Sequence, residues 1–248
     1  MVWRKDKIMN VDNIIPNKPW EFDLEVTKVF ENMLERSIPN YTDMRKLSVD
    51  VADRLLLGHL DNFTMLDLGC SNGLNLKQFV QKYGGKGKYT GVDCSSSMLE
   101  DFKNRFSMFP SGVITALNMD LKSDFPSGNY DIVTAILFLC FVPIQYRQSI
   151  LKNIYNSLVD GGVFIFVEKV LGNSLSIDKA LVENYYDLKR ANGYTDEQIE
   201  RKRLSLDGVQ VPIMSQWNIE MLKSTGFSQV DVFWRYLNFE GYVCVKGY

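Results

Sequence analysis

The sequence has 248 residues, of which 46% are hydrophobic and 23% charged, as expected for one large globular domain with additions. A net charge of −2 gives no general attraction for nucleic acid. The single histidine, His59, which we expect at the surface or capping a helix, and four scattered cysteines argue against a zinc site and against Cys–His or Ser–His–Asp catalysis. The longest apolar run, Ile132 to Val142, cannot span a bilayer and no signal peptide is visible, so we expect a cytoplasmic protein.

The N-terminal part of the chain shows helical periodicity. Apolar residues from Phe22 to Met33 recur at helical spacing, and Ser37 to Tyr41 has the composition of a turn. A second helix is predicted from Thr42, as its N-cap, to Leu57, with Gly58 as the stop. These elements predict a helical cap over residues 1–60.

Strands and helices alternate along the next part of the chain, which we assign to a domain of residues 61–248. The predicted strands cover 64–68, 89–93, 113–119, 130–137, 163–167, 230–239 and 241–245, and helices occupy most of the intervals. Such alternation predicts βαβ units and a buried, mostly parallel sheet. The last two strands form an antiparallel hairpin. A seven-stranded Rossmann-like sheet that ends in this way is typical of the class I methyltransferase fold.

One segment departs from the alternation. Residues 174–206 are polar and predicted to be helical, with a break at Asn192-Gly193, before the last helix from Ile213 to Thr225. We interpret the segment as a helical insertion over the sheet.

The motif Asp67-Leu68-Gly69-Cys70-Ser71-Asn72-Gly73 lies between the first strand and the next helix. Glycine permits a sharp turn and a close approach to a ligand, and the N–H groups of a helix N-terminus suit an anion. The motif is similar to the glycine loop of S-adenosylmethionine (SAM) sites, with Ser71 in place of the middle glycine. We expect Asp67, Gly69 and Ser71 to contact the methionine end, although such a loop alone is a weak signal. The other residues that we predict at the ligand site by their position in this loop or after a strand are Cys70, Gly73, Cys94 and Ile136.

Carboxylates follow the second and third strands. Asp93 is placed to accept the ribose hydroxyls, and Asp120 with the backbone of Leu121 is placed to bind adenine. Each carboxylate alone is more often a capping residue. Together the three features favour SAM over a dinucleotide, because the glycine spacing of a dinucleotide site is missing.

From Trp20 onward the sequence resembles the carboxy-SAM synthase family over about nine-tenths of the chain. The resemblance is carried by Trp20-Glu21-Phe22-Asp23, Arg36-Ser37-Ile38-Pro39-Asn40-Tyr41 and the glycine loop. Its most specific parts are Asp187-Leu188-Lys189-Arg190-Ala191-Asn192-Gly193-Tyr194 and Lys202-Arg203.

The resemblance implies an activity, conversion of SAM and prephenate into carboxy-SAM and phenylpyruvate for tRNA wobble-uridine modification. The implied reaction forms a sulfonium ylide at the methyl carbon, which captures CO2 released from prephenate, with the departing hydroxide as base. Arg203 would pair with the new carboxylate, as a planar guanidinium does well, and Tyr41 would contact SAM. From the residues alone, Arg203 in its basic run reads as a solvated helix face and Tyr41 as a turn anchor.

Two positions depart from the family pattern. Ile136 replaces an asparagine near the sulfonium, and Cys94 replaces a polar residue after Asp93. The sequence therefore leaves two alternatives open, a small-molecule SAM methyltransferase and a non-catalytic SAM-binding protein. In each case the expected cofactor is SAM, or bound carboxy-SAM or S-adenosylhomocysteine. The resemblance also implies a homodimer, with residues 174–206 as the candidate interface, and neither direct nucleic-acid binding nor a membrane partner is expected. Whether Arg203 serves its own subunit or the partner's is left open.

Overall fold

The structure, a computed structural model, describes residues 11–56 and 62–247. It begins with two helices, α1 (Leu24–Ser37) and α2 (Tyr41–Leu55). Helix α2 starts one residue before the predicted N-cap Thr42, because Asn40 takes a left-handed conformation, φ 48°, that reverses the chain. The predicted end of this helix at Leu57-Gly58, and His59, lie outside the described residues.

The remaining elements follow in the predicted alternation. In chain order they are β1 (Phe63–Leu68), α3 (Leu74–Tyr83), β2 (Gly87–Asp93), α4 (Ser96–Arg105), β3 (Ile114–Asn118), β4 (Tyr130–Ile136), α5 (Ile144–Ser157), β5 (Leu158–Leu171), α6 (Leu175–Ala191), α7 (Asp196–Leu206), β6 (Ile213–Met214), α8 (Ser215–Thr225), β7 (Gln229–Tyr236) and β8 (Phe239–Val245).

The sheet has the order β3-β2-β1-β4-β5-β8-β7, with β6 beside β5. Strands β1 to β6 pair in parallel, and β8 runs antiparallel to both β5 and β7. The predicted Rossmann-like sheet with a terminal antiparallel hairpin is therefore confirmed. The C-terminal ends of β1, β2 and β3 lie at one edge, which is where open parallel sheets bind ligands.

Two details of the sheet differ from the prediction. Ile213 and Met214 were predicted as the start of a helix, but they pair with Val170 and Leu171 and add an eighth strand. Strand β5 is also longer than the predicted 163–167. Its extra residues at the start include Gly161 and Gly162. The register with β4 shifts here, so these turn-like residues form a β-bulge and the strand continues through them.

Apolar side chains fill both faces of the sheet and the space below the N-terminal helices. Leu66 packs with α5 and α8 on one face, and Met65 packs with α2, α3 and α4 on the other, as alternation along a strand requires. A third cluster includes Trp20, Tyr185 and Phe239 and joins the N-terminal segment to the insertion. This cluster lies against the candidate site.

The insertion forms two helices, α6 and α7, on either side of the predicted break. Gly193 has a φ of +86° and turns the chain between them. Thr195 then caps α7 in a capping box with Gln198, in which each side chain satisfies the other's backbone N–H. The insertion is thus a helical hairpin with defined ends.

Neither a membrane span nor a metal cluster occurs in the described parts of the chain. No helix there combines the length and the apolar character needed to cross a bilayer. No group of three or more His, Cys, Asp or Glu side chains there is placed to hold a metal ion.

Candidate active site

The loop after β1 alternates between ordinary and left-handed backbone. Gly69, Ser71 and Gly73 have φ values of 64°, 48° and 81°. A Cβ at Gly69 would collide with the ring of Phe138, and one at Gly73 would collide with that of Phe106. Ser71 therefore keeps the backbone shape of the glycine it replaces, in a conformation that costs a non-glycine residue about 1 kcal/mol or more.

Three main-chain N–H groups of the loop are bonded within the protein. The N–H of Cys70 donates to the carbonyl oxygen of Val92 over 3.0 Å, and that of Gly73 donates to Cys70 over 2.8 Å. The N–H of Ser71 donates to Oδ2 of Asp93 over 2.9 Å. These groups fix the loop, so a ligand carboxylate would need other donors than these three.

Asp67, at the end of β1, is only 1% exposed. Its Oδ1 accepts from Thr134 over 2.6 Å and from Asn75 over 3.0 Å. Burial raises the pKa of Asp67 to about 6. Its Oδ2 and the Oδ1 of Asn75 are buried without a hydrogen-bond partner among the described residues. Both residues line a cavity, so two acceptor atoms there call for a ligand donor.

The cavity, of about 310 Å³, extends from the glycine loop to α6 and α7. Seven of the residues predicted for the site line it: Tyr41, Asp67, Gly69, Cys70, Ser71, Ile136 and Arg203. Helix α1, the end of β4 and the N-terminal segment close its other sides. The structure thus places the loop, the N-terminal helices and the insertion around one space.

Five predicted residues lie beside the cavity lining rather than in it: Gly73, Asp93, Cys94, Asp120 and Leu121. Gly73 is the N-cap of α3, and Asp93 supports the loop from the end of β2. Asp120 is exposed, accepts from the N–H of Lys122 and lies 3.3 Å from its ammonium group. Cys94 is exposed, and Leu121 is buried in the core. All five lie near the sheet edge that holds the loop.

Tyr41 and Arg203 occupy different environments. Tyr41 is buried at the start of α2, where the Arg45 guanidinium lies 4.1 Å from its ring centroid. Burial raises the pKa of Tyr41 to about 12. Arg203 is exposed at the cavity rim and forms two hydrogen bonds with Glu200, at 2.7 and 2.9 Å, which raise its pKa. A ligand carboxylate would compete with Glu200 for this guanidinium.

Several residues of the cavity carry no signal in the sequence that assigns them a role. Lys169, Lys189 and Lys202 bring ammonium groups to its insertion side. Leu137 follows β4 with a φ of 53°, which is strained for a leucine. The spacing of Tyr185 and Lys189, four residues apart on a helix, was the one available signal that both face the same way.

The fold and this site define the chain as a member of the class I SAM-dependent methyltransferase superfamily. The methyltransferase domain family matches residues 65–162. The fold matches human N-acetylserotonin methyltransferase in complex with SAM (TM-score 0.58, 18% identity) over 91% of this chain and 56% of that one. It also matches a putative O-methyltransferase of Nostoc punctiforme (TM-score 0.64, 15% identity) over 90% of this chain and 60% of that one.

Within that superfamily, the chain belongs to the carboxy-S-adenosyl-L-methionine synthase family. It is 35% identical to the carboxy-S-adenosyl-L-methionine synthase of Methylococcus capsulatus over 91% of this chain and 93% of that protein. It is 33% identical to the synthase of Nautilia profundicola over 98% of this chain and 100% of that protein. The match therefore includes the insertion, which the methyltransferase domain match does not reach.

Proposed function

We propose that this protein is a carboxy-SAM synthase, which converts SAM and prephenate into carboxy-SAM and phenylpyruvate. The observation that carries the proposal is the single cavity shared by the glycine loop and the cationic insertion. A neutral methyl acceptor has no need of ammonium and guanidinium groups there, whereas an acidic carboxyl donor does.

The acceptor atoms at the loop end suit SAM as the first substrate. Its methionine ammonium group donates hydrogen bonds, and the unpartnered oxygens of Asp67 and Asn75 can accept them. Each oxygen of Asp93 already accepts one N–H, from Ser71 or Ser95, and keeps a lone pair for a ribose hydroxyl. Asp120 and the backbone of Leu121 would bind adenine, and Tyr41 would contact the substrate.

In the reaction that the family implies, prephenate loses CO2 and hydroxide, the hydroxide takes a proton from the methyl group, and CO2 adds to the methyl carbon. The protein would mainly hold the two substrates together and exclude water. Arg203 would exchange Glu200 for the carboxylate of the product. The product would serve tRNA wobble-uridine modification, and the net charge of −2 supports release of a small molecule rather than tRNA contact by this chain.

Ile136 favours the second candidate, a small-molecule SAM methyltransferase. Its side chain lines the cavity at the end of β4, where the family pattern has an asparagine, and it makes that wall apolar. An apolar wall suits a neutral acceptor. A non-catalytic SAM-binding protein is the third candidate, and it would consume neither substrate.

The test is mass spectrometry of purified protein incubated with methyl-labelled SAM and prephenate, beside one reaction without prephenate and one in which a deproteinised cell extract supplies small-molecule methyl acceptors. A labelled ion heavier than SAM by one CO2 supports the synthase. Label transferred to another small molecule, with S-adenosylhomocysteine as the other product, indicates a methyltransferase. Unchanged SAM after long incubation, with SAM binding intact, indicates the non-catalytic protein.

We also propose that the protein is a cytoplasmic homodimer. Helix α6 exposes Leu175 to 87% and Ile177 to 53%, and Leu171 on β5 and Leu204 on α7 are exposed at the two ends of the insertion. Exposed apolar groups of this size support an interface between two copies. Light scattering should give a dimer mass, and Leu175→Glu should shift it toward a monomer. If Leu175→Glu keeps the dimer mass, the insertion is not the dimer interface.

A further inference from the structure

Three lysine side chains lie on the insertion side of the cavity, each on a different element. Lys189 of α6 is 4% exposed, Lys202 of α7 is 7% exposed, and Lys169 at the end of β5 is half-buried. All three line the cavity. Lysine is rarely buried without an anionic partner, so each of these ammonium groups calls for a negative charge from the protein or from a ligand.

Lys202 has a partner within the protein. Its ammonium group lies 3.5 Å from Oδ2 of Asp12, which is 1% exposed and also accepts a hydrogen bond from Tyr194. The indole ring of Trp20 covers the same group, with its centroid 4.6 Å away. The positive charge of Lys202 is therefore balanced without a ligand, and Glu200 balances that of Arg203 at the rim.

Lys169 and Lys189 form no ion pair among the described residues, and the groups that lie over them are aromatic rings. Their ammonium groups lie 5.0 and 5.6 Å from the ring centroid of Tyr185, and Lys189 also lies 4.9 Å from that of Tyr194. Across the described ranges, no carboxylate comes within 4.0 Å of either group. A ring face returns less than the desolvation of an ammonium ion costs. Burial accordingly lowers the pKa of both side chains, and that of Lys189 falls to about 7.

Acidic groups elsewhere in the cavity do not change this balance. Asp67 lies at the glycine-loop end and is bonded to Asn75 and Thr134. Asp207 is exposed. Asp12 acts on Lys189 but is already bonded to Lys202 and Tyr194, and Asp178 acts on Lys169 but accepts the N–H of Gly172. Among the described residues, Lys169 and Lys189 therefore have no ion-pair partner of their own, which matches a ligand that brings two negative charges.

We propose that Lys169 and Lys189, around the ring of Tyr185, form the subsite that selects a dicarboxylate as the carboxyl donor. This inference rests on the proposed function, because that function supplies the reaction in which a carboxyl donor is used. It adds the residues that distinguish a dianionic donor from a monoanionic one. Tyr185 provides an aromatic surface between the charges, on which the ring of a cyclic donor can pack.

The experiment measures binding rather than turnover. The protein is saturated with S-adenosylhomocysteine, which has no methyl group to react, and is titrated calorimetrically with prephenate and with phenylpyruvate, its one-carboxylate counterpart. The wild type should bind prephenate about tenfold or more tightly than phenylpyruvate, since each charge-assisted contact contributes about that factor. Lys169→Met and Lys189→Met should each remove about tenfold of prephenate affinity, and the double variant should lose the preference.

Lys179→Met is the matched control, because Lys179 is an exposed lysine on the same helix as Lys189. It should leave the preference unchanged. Affinity for S-adenosylhomocysteine should stay at the wild-type value in all variants, which also shows that each one is folded. A preference that survives in the double variant, or that is absent from the wild type, overturns the subsite.

A second pair of probes, phenylsuccinate and 3-phenylpropanoate, separates this proposal from the proposed function. Lysine-dependent preference for phenylsuccinate, in a protein that makes no carboxy-SAM from prephenate, leaves the subsite standing without the synthase activity. If the double variant makes carboxy-SAM with an unchanged KM for prephenate, the synthase activity stands and the lysine subsite does not.

Discussion

The main-chain N–H of Ser71 donates to the carboxylate of Asp93 over 2.9 Å, so the proposed ribose acceptor also holds the glycine loop. Asp93→Ala removes both functions and should weaken SAM binding by roughly 100-fold, since two charge-assisted hydrogen bonds contribute about 3 kcal/mol or more. Asp93→Asn keeps one acceptor oxygen and should lose less. Calorimetric titration with SAM measures both.

The control for the aspartate series is Asp160→Ala, which removes a carboxylate that is 68% exposed and pairs with Lys246. It should bind SAM normally. Equal losses in Asp93→Ala and Asp93→Asn would show that charge, rather than the loop hydrogen bond, governs affinity.

Gly69→Ala tests the close packing of the loop. A Cβ at this position would have to take a φ of +64° and would collide with Phe138. The two effects together should cost about 2–5 kcal/mol, as strained backbone and overpacking do. We expect loss of most SAM binding and a lower melting temperature, measured by calorimetry and thermal denaturation.

Gly84→Ala is matched to this change. Gly84 has a φ of +55°, but no atom lies within 4 Å of a Cβ placed there. It should show only the backbone cost, about 1 kcal/mol, with normal SAM binding. Similar losses at the two positions would contradict the role of Phe138 packing.

Arg203 should be released from Glu200 when a product carboxylate arrives. The pair is exposed at the cavity rim, and exposed ion pairs contribute little to stability. Arg203→Met should therefore lower the affinity for carboxy-SAM by about tenfold or more and leave that for SAM unchanged. Glu200→Gln should raise carboxy-SAM affinity, because it removes the competing carboxylate. Weaker binding in Glu200→Gln would mean that Glu200 positions the guanidinium instead.

Donor binding should depend on pH through Lys189. Burial lowers its pKa to about 7, with Lys202 and Lys169 adding repulsion. A carboxylate binds the protonated form, so donor affinity should be highest below about pH 7 and fall as the pH rises above it. The charged and titratable groups that face Lys189 are Lys169, Lys202, Arg36, Asp12, Tyr185 and Tyr194.

Titration of the S-adenosylhomocysteine complex with prephenate from about pH 6 to about pH 9 measures this dependence. Because the pKa of Lys202 is also lowered, to about 8, a weaker decline should remain in Lys189→Met. An identical pH profile in wild type and variant would remove Lys189 from the explanation.

Glu168 gives the fold a pH dependence of its own. It is fully buried at the end of β5, and burial raises its pKa to about 8, against opposing interactions with Arg147 and Cys140. The folded state therefore binds a proton more tightly than the unfolded chain, whose value is near 4.5. The resulting stability is fully present below pH 4.5 and is lost as the pH rises through about 8.

Glu168→Gln should remove this dependence. The wild-type free energy of unfolding, minus that of the variant, should fall by a few kcal/mol between about pH 5 and about pH 8. Urea denaturation at several pH values measures it, and the lysine contributions cancel in the difference. A difference that stays constant with pH would show that Glu168 is ionised in the folded protein.

The sheet and the glycine loop could be predicted from the sequence, because both depend on local patterns. Apolar runs mark buried strands, and the loop follows β1 directly. The two-residue strand β6 could not, since only its pairing with β5 distinguishes it from the start of a helix. The cavity cations were missed for a similar reason. Lys189 is polar in a polar helix, and the ring of Tyr194, which follows the break after that helix, covers it only once the helical hairpin has formed.

The pairing of β5 with β6 places the two ends of the insertion side by side. The chain leaves the sheet after Leu171 and returns at Ile213, which pairs with Val170 on the neighbouring strand. Adjacent strands are about 5 Å apart, so the segment between β5 and β6 begins and ends at neighbouring positions of the sheet. An ancestral methyltransferase could therefore have gained or exchanged this segment as a unit without altering its sheet. The same two positions offer a graft point for protein engineering.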